Sequence, residues 1–426
     1  MRTPAGWRIA LLLGPGMLVA ATGVGAGDLA TAAFTGSELG LAVLWAVLIG
    51  AGLKFVLNEG LARWQLATGT TLIEGCTRHF GRPALYLFLA YMLSWSFFVG
   101  AALISACGVT AHAIAPLSGS SATDKLIWGL VHTSVGAVLA WWGGYRLFEK
   151  VMGVSIGVMF VTVVATAVLL VDDWSAVATG LVVPRIPRFV DQGLVWTLAL
   201  IGGVGGTLTV LCYGYWIREE GREGLAELGH CRIDLAAGYT MTALFGLAMV
   251  AIGSRVQPEQ LQAAGGAASL IVVLADELSG PLGPVARWAF LLGAWAAVFS
   301  SLLGVWQSVP YLFADCCRLL DARTARGASV PPGTTTSVDT RSPRYRAYLV
   351  GLASLPALGL WLDFKEVQKW YAVVGAGFLP LLALALLILN GRSDWVGAQA
   401  RNRPLTTALL VATLLFFAGG VLLGFS

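Results

Sequence analysis

One stretch limits what this chain can become more than any other: Gly23-Val24-Gly25-Ala26-Gly27-Asp28, set inside an apolar run from about 9 to 34. A helix needs about 20 apolar residues to cross a bilayer, and this run is long enough. Three glycines within five positions work against that helix, at about 1 kcal/mol each relative to Ala. Asp28 follows them and is the only carboxylate among the first 37 residues. An ionised acid at membrane depth is costly unless it faces a cavity or a partner. Opened backbone is tolerated there only where it is buried in protein or lines water. A second interruption, Gly202-Gly203-Val204-Gly205-Gly206, sits in another apolar run at about 192 to 216. Two broken helices at corresponding places in two halves point to a solute site near mid-depth.

Composition agrees with a membrane class. Apolar residues make up 57% of the chain, charged residues 12%, and the mean hydropathy is +0.77. Soluble domains carry about 25% charged residues. The net charge of +4 is ordinary where loops on one side collect Lys and Arg, and it does not indicate nucleic acid. Six cysteines are scattered without a CxxC pair, so neither a disulfide frame nor a zinc site is expected. Arg2 and Arg8 precede the first apolar run. That run is too long for a cleaved leader and is read as the first span. No P-loop, HExxH motif or nucleophile–base set occurs, so neither an enzyme nor a cofactor is expected.

The apolar pattern gives an all-α polytopic membrane protein of eleven spans. They lie near 9–36, 41–62, 84–112, 126–142, 149–171, 192–216, 233–254, 286–315, 346–361, 368–390 and 405–424. Short amphipathic stretches are expected at 71–80 and 268–278, and a disordered linker at about 322–344, rich in Arg, Thr, Ser and Pro. With the N-terminus in the cytoplasm, inner loops hold nineteen Lys and Arg residues and outer loops seven. Lys54, inside a span, completes the 27. That bias supports an N-inside orientation and an odd number of crossings, and the plasma (inner) membrane is the expected location. The breaks fall in spans one and six. An offset of five inverts the second half, which is the 5+5 inverted-repeat plan of LeuT-like secondary transporters with discontinuous helices 1 and 6. The whole of 1–426 then forms one membrane transport domain, with a first repeat at about 9–172, a second at about 190–391 and an extra helix at about 405–424.

Asp28 is the strongest candidate ligand, because a carboxylate beside opened backbone offers hard oxygen to a cation. The competing role is an N-cap that starts the second half-helix at Leu29. Gly25, Gly205, Gly206 and Thr207 are candidates to add carbonyls and a hydroxyl, against a purely packing role for the glycines. Lys54 lies deep in span two, where it can snorkel or pair with Asp28. Glu59 is also a candidate, although Arg63 at i+4 makes a structural ion pair the simpler role. Ser300, Ser301 and Gln307 are read as interhelical hydrogen bonders, and most of the sixteen Trp as an interfacial belt.

Several motifs carry a family resemblance. Gly14-Pro15-Gly16-Met17-Leu18-Val19 with Leu29-Ala30-Thr31, then Ala62-Arg63 with Leu66-Ala67-Thr68-Gly69 and Glu74-Gly75-Cys76, and finally Asn390-Gly391-Arg392 up to Val396-Gly397, resemble the Nramp family of divalent-metal transporters. The resemblance covers most of the chain. It implies a LeuT-like fold and proton-coupled symport of Mn²⁺ or Fe²⁺. The functional motifs depart from it. The family's Asp-Pro-Gly-Asn reads Gly25-Ala26-Gly27-Asp28, and its Met-Pro-His reads Gly206-Thr207-Leu208. The acids of its third helix fall on Ser94 and Phe97, and the four histidines (His79, His112, His132, His230) all lie outside span six. Without a thioether the site favours harder ions. A divalent cation such as Mg²⁺, moved without the usual proton relay, is therefore expected. The alternative is another small solute on the same scaffold: an amine or zwitterion at Asp28, or an anion at Lys54 and the half-helix amides. A methionine introduced at 206 is expected to raise Cd²⁺ or Mn²⁺ binding.

Overall fold

The computed structural model describes residues 14–259, 267–324, 339–362, 367, 370–371, 374–375 and 377–424. Helices dominate, and no strand occurs among the described residues. The first apolar run forms α1 (Pro15–Gly23) and α2 (Ala26–Leu39), separated at Val24 and Gly25. Residues 9–13 of the expected first span lie outside the described residues. Next come α3 (Leu44–Thr68), the short α4 (Leu72–Phe80), α5 (Arg82–Ile114), α6 (Ser121–Trp142) and α7 (Gly144–Leu170). A surface helix, α8 (Trp174–Val182), precedes the second broken run, α9 (Leu194–Gly203) and α10 (Cys212–Glu219). The chain continues through α11 (Leu228–Gly253) and α12 (Ala267–Thr324), which bends at Gly283. It ends in α13 (Pro343–Ser354), α14 (Phe378–Leu389), α15 (Ser393–Val396) and α16 (Pro404–Gly424).

The expected elements and these helices differ in instructive places. The segment expected as a linker from 322 begins as helix, because α12 carries through Thr324. Residues 325–338, where disorder is expected, lie outside the described residues, as do most of 363–376 in the expected tenth span. The ninth span tightens into a 3₁₀ turn at Leu355–Trp361, where Pro356 removes one backbone donor. The amphipathic stretch at 71–80 is a helix capped by Thr71, whose hydroxyl accepts from the free amide N of Glu74 at 3.1 Å. Replacing Thr71 with Ala is expected to lower stability by about 1 kcal/mol, read as a drop in thermal midpoint in detergent.

Two helix groups form the body. α11 packs along α1, α2 and α3, while α12 packs along α5, α6, α7 and α13. Close approach in the first group uses small residues. A Cβ on Gly253 would meet the Ala33 backbone, and one on Gly36 the Val250 backbone. The outer faces remain apolar. On α7 the exposed Val154, Val158, Val161 and Val168 recur at helical spacing, as expected for a helix whose solvent on that side is lipid. Among the described residues, six helices are long and apolar enough to cross a membrane.

The start of α1 is tied down by one acid. Asp234 on α11, 3% exposed, accepts from Gly16 N at 2.9 Å, Tyr213 OH at 3.2 Å and Arg222 Nη1 at 3.1 Å. It therefore neutralises a guanidinium and satisfies a free helix-terminal amide together. Replacing Asp234 with Ala is expected to cost about 3 kcal/mol, because the half-buried guanidinium loses its counter-charge. A thermal-shift measurement on the purified variant checks this.

Candidate functional site

The two breaks meet. A Cβ on Gly23 would lie 2.7 Å from the carbonyl carbon of Gly205, and one on Gly206 would lie 3.1 Å from the Gly23 Cα. Gly205 and Gly206 have φ of 83° and 79°, a left-handed conformation that costs side-chain-bearing residues roughly 1–2 kcal/mol. Their lack of a Cβ therefore serves two needs at once, the backbone turn and the close approach of α1. The backbone turns through Val204–Thr207 and resumes as a 3₁₀ turn at Leu208–Leu211 before α10.

Asp28 joins the two breaks. It is 5% exposed, and its Oδ1 accepts from Gly205 N at 3.3 Å. The cap role differs from the expected one. Gly25, in extended backbone, is the N-cap of α2, and Asp28 sits in the first turn beyond it. There it meets the positive end of the half-helix dipole and interacts with the backbone N–H of Gly25. The carbonyl of Gly25 accepts from Leu29 N at 3.0 Å, which opens α2. Among the described residues no hydrogen bond ends on the carbonyls of Gly205 or Gly206. The Thr207 hydroxyl accepts from Trp95 Nε1 at 3.0 Å, and a Cβ on Gly375 would stand 3.0 Å from the Thr207 methyl.

Lys54 and Glu59 go to different places. Lys54 is fully buried. Its ammonium donates to Gly202 O at 2.6 Å and also to Val204 O. The ammonium is therefore held by the carbonyl end of α9, with Asp28 within electrostatic reach but in no direct ion pair. Glu59 lies further along α3, in an ion pair with Arg63 at 3.3 Å and with Arg232 of α11 at 2.7 Å. It is not brought to the breaks. Ser301 and Ser300 donate to the carbonyls at the end of α1, Thr22 O at 2.7 Å and Ala21 O at 3.3 Å. Gln307 bonds Trp216 and Tyr311.

Sequence reasoning passed over three neighbours. Trp95 falls to the interfacial-belt default, although it reaches Thr207. Tyr371 stands in the field of Asp28, and nothing in its local sequence announces that. Asn58 carries a readable signal: at i+4 from Lys54 it shares that face of α3. Its amide donates to Tyr239 OH at 2.8 Å while its Oδ1 has no partner.

All four histidines are engaged elsewhere. His79 stacks on Trp395 with ring centroids 3.7 Å apart, His112 meets Asp124 at 2.8 Å, and His230 meets Glu227 at 3.0 Å. His132 is held by Trp128 O and Trp295. Ser94 is exposed and bonds its own helix at Ala90 O. Among the described residues no group of three or more His, Cys, Asp and Glu forms a metal cluster. A cation at the breaks would therefore meet one carboxylate, main-chain carbonyls and water, an all-oxygen set suited to hard ions.

The family model described as natural resistance-associated macrophage protein-like, Nramp, matches residues 16–426. The chain is 30% identical over 405 residues to a divalent metal cation transporter, MntH, of Acidiphilium cryptum, covering 93% of this chain and 86% of that one. Among solved structures it superposes on a manganese transporter of Eremococcus coleocola with a TM-score of 0.75 at 16% identity, covering 100% of this chain and 88% of the other. It also superposes on MhsT bound to L-phenylalanine with a TM-score of 0.61 at 16% identity, covering 96% of this chain and 97% of that one. The fold is LeuT-like.

Proposed function

Because this chain belongs to the Nramp family, we propose that it is a secondary transporter carrying a divalent cation through the gap between its two broken helices. The observation that carries this reading is the contact between Asp28 and Gly205 N across that gap. In this reading Asp28 supplies the charge, Gly25, Gly205 and Gly206 supply carbonyls, and Thr207 supplies a hydroxyl oxygen with a lone pair to spare. The set contains no sulfur or imidazole, so a hard ion such as Mg²⁺ is preferred over Mn²⁺ or Fe²⁺. The family's usual third-helix acids and sixth-helix histidine have no counterpart at Ser94, Phe97 and Leu208, so the ion crosses without that proton relay. The repeats run at about 9–172 and 190–391, and the N-terminus faces the cytoplasm of the cell whose plasma membrane holds the protein.

Reconstitution into liposomes tests this. Mg²⁺ should enter down its gradient and saturate, and Mn²⁺ should compete more weakly. Absence of flux for every divalent ion tried would remove the proposal. The Lys54 ammonium beside the breaks favours a second reading, in which the solute is a small amine, zwitterion or anion. Saturable uptake of such a solute, unaffected by divalent ions, would select it.

A further inference from the structure

The arginines around the end of α3 fall into two sets. Arg63 and Arg232 hold Glu59, Arg222 holds Asp234, Arg318 holds Asp315 and Glu74, and Arg344 holds Asp321. Arg78, Arg82, Arg392, Arg401 and Arg403 hold no acid among the described residues. Arg82 is half-buried and the other four are exposed. Guanidiniums gathered without acids create a positive potential that attracts an anion.

The fold brings these five to one corner. α14 packs on both α16 and α4, so the segment 390–403 runs between the two. Arg392, the residue before α15, lies over the Trp395 ring at 4.6 Å from its centroid. Trp395 in turn stacks on His79 of α4 at 3.7 Å. Burial disfavours a proton on His79, the fields of Arg78 and Arg392 add to that, and Asp394 opposes them. Further along the segment, Arg63 donates to Ala400 O at 3.0 Å and to Asn402 Oδ1 at 2.9 Å. That anchor fixes the backbone that carries Arg401 and Arg403. Beside the cations the surface is apolar. Phe80, Tyr86, Leu87 and Leu405 are exposed, at the end of α4 and near the starts of α5 and α16.

We propose that this corner is a binding site for an anionic phospholipid, with its phosphate between Arg78 and Arg392 and its acyl chains over Phe80, Tyr86 and Leu405. Cations at a helix end above an apolar step match a headgroup above hydrocarbon. An acidic protein segment would match the arginines and leave the apolar step uncovered. The planar guanidinium fork suits phosphate oxygens, two N–H groups at a time. Arg82, Arg401 and Arg403 supply the surrounding field. The bound lipid ties α4 to α15 and reinforces the stack of His79 on Trp395.

Native mass spectrometry of the full chain in neutral detergent tests this, with phosphatidylglycerol and phosphatidylcholine titrated in parallel. The native chain is expected to hold phosphatidylglycerol about tenfold more tightly than phosphatidylcholine. The double variant Arg78→Gln/Arg392→Gln is expected to lose that preference. Arg146→Gln/Lys150→Gln, which removes exposed cations of α7, is expected to keep it. Equal retention of the two lipids by the native chain, or an unchanged preference in Arg78→Gln/Arg392→Gln, overturns the site. A preference lost equally in Arg146→Gln/Lys150→Gln shows attraction by charge anywhere on the surface and also overturns it. Displacement of phosphatidylglycerol by an equal concentration of inorganic phosphate assigns the arginines to a soluble anion and overturns the lipid. Should Arg78→Gln/Arg392→Gln fail to fold, Arg401→Gln/Arg403→Gln takes its place, with an expected loss of about threefold and no loss as the overturning result.

Discussion

Replacing Asp28 with Asn should abolish divalent-ion uptake, with a fall in initial rate of at least about 100-fold in reconstituted liposomes. The amide oxygen of Asn can still accept from Gly205 N, as Asp28 Oδ1 does at 3.3 Å, so the two broken helices stay joined. What disappears is the only formal negative charge that the described residues bring to the gap. A divalent ion shedding part of its water shell loses its charged ligand and keeps only neutral carbonyls. The loss should appear in both affinity and rate, because in the proposed account the same charge does most to offset the ion's desolvation at the gap. Asp28→Asn protein that retains its thermal midpoint and its uptake would show that the ion passes elsewhere.

Replacing Gly206 with Ala should also be damaging, for a different reason. At φ of 79° a side chain costs roughly 1–3 kcal/mol at such a position. The new Cβ would also lie 2.6 Å from Thr209 Oγ1 and 3.1 Å from Gly23 Cα. The threonine can rotate away, but the backbone of α1 cannot. Uptake should fall by about tenfold or more, and the thermal midpoint by several degrees, through displacement of α1 and not through loss of a ligand. The same geometry argues against the expectation that Met at 206 would raise Cd²⁺ or Mn²⁺ binding. The position at which the family resemblance places a thioether has a positive φ and lies tight against Gly23 here, so Gly206→Met is expected to disrupt the gap and bind neither ion more tightly. Calorimetry with Cd²⁺ on the folded fraction of that variant decides between the two outcomes.

The breaks were legible in the sequence because glycine density inside an apolar run has few other uses. The partnership of the first and sixth spans followed from their spacing. The Glu59–Arg63 pair was legible too, since i,i+4 on a helix is a local rule. Arg232, which completes it from another helix, was not. The cap at Asp28 was misplaced because the helix starts earlier: Gly25 adopts the extended backbone of an N-cap without any side chain to advertise it. Lys54 shows the limit most clearly. Its sequence setting allows snorkelling or pairing with Asp28, and the approach of α9 to α3 gives it a third role that neither anticipates, at the carbonyl end of α9. Trp95 reaching Thr207 and Tyr371 facing Asp28 depend in the same way on which helices are neighbours. Local patterns fix where the backbone opens, and tertiary packing fixes what meets it.

Anomalous scattering from crystals of the native chain soaked in Mn²⁺ at pH 8 tests the centre of this picture most directly, since Mn²⁺ scatters anomalously where Mg²⁺ does not. The expected result is a single strong peak within about 2.5 Å of an Asp28 carboxylate oxygen, between Gly25 and Gly206, that vanishes in Asp28→Asn crystals. A peak bound only elsewhere, such as among Tyr145, Glu219 and Asp339 in the cavity of about 220 Å³ lined by α6, α7, α10, α12 and α13, would contradict it.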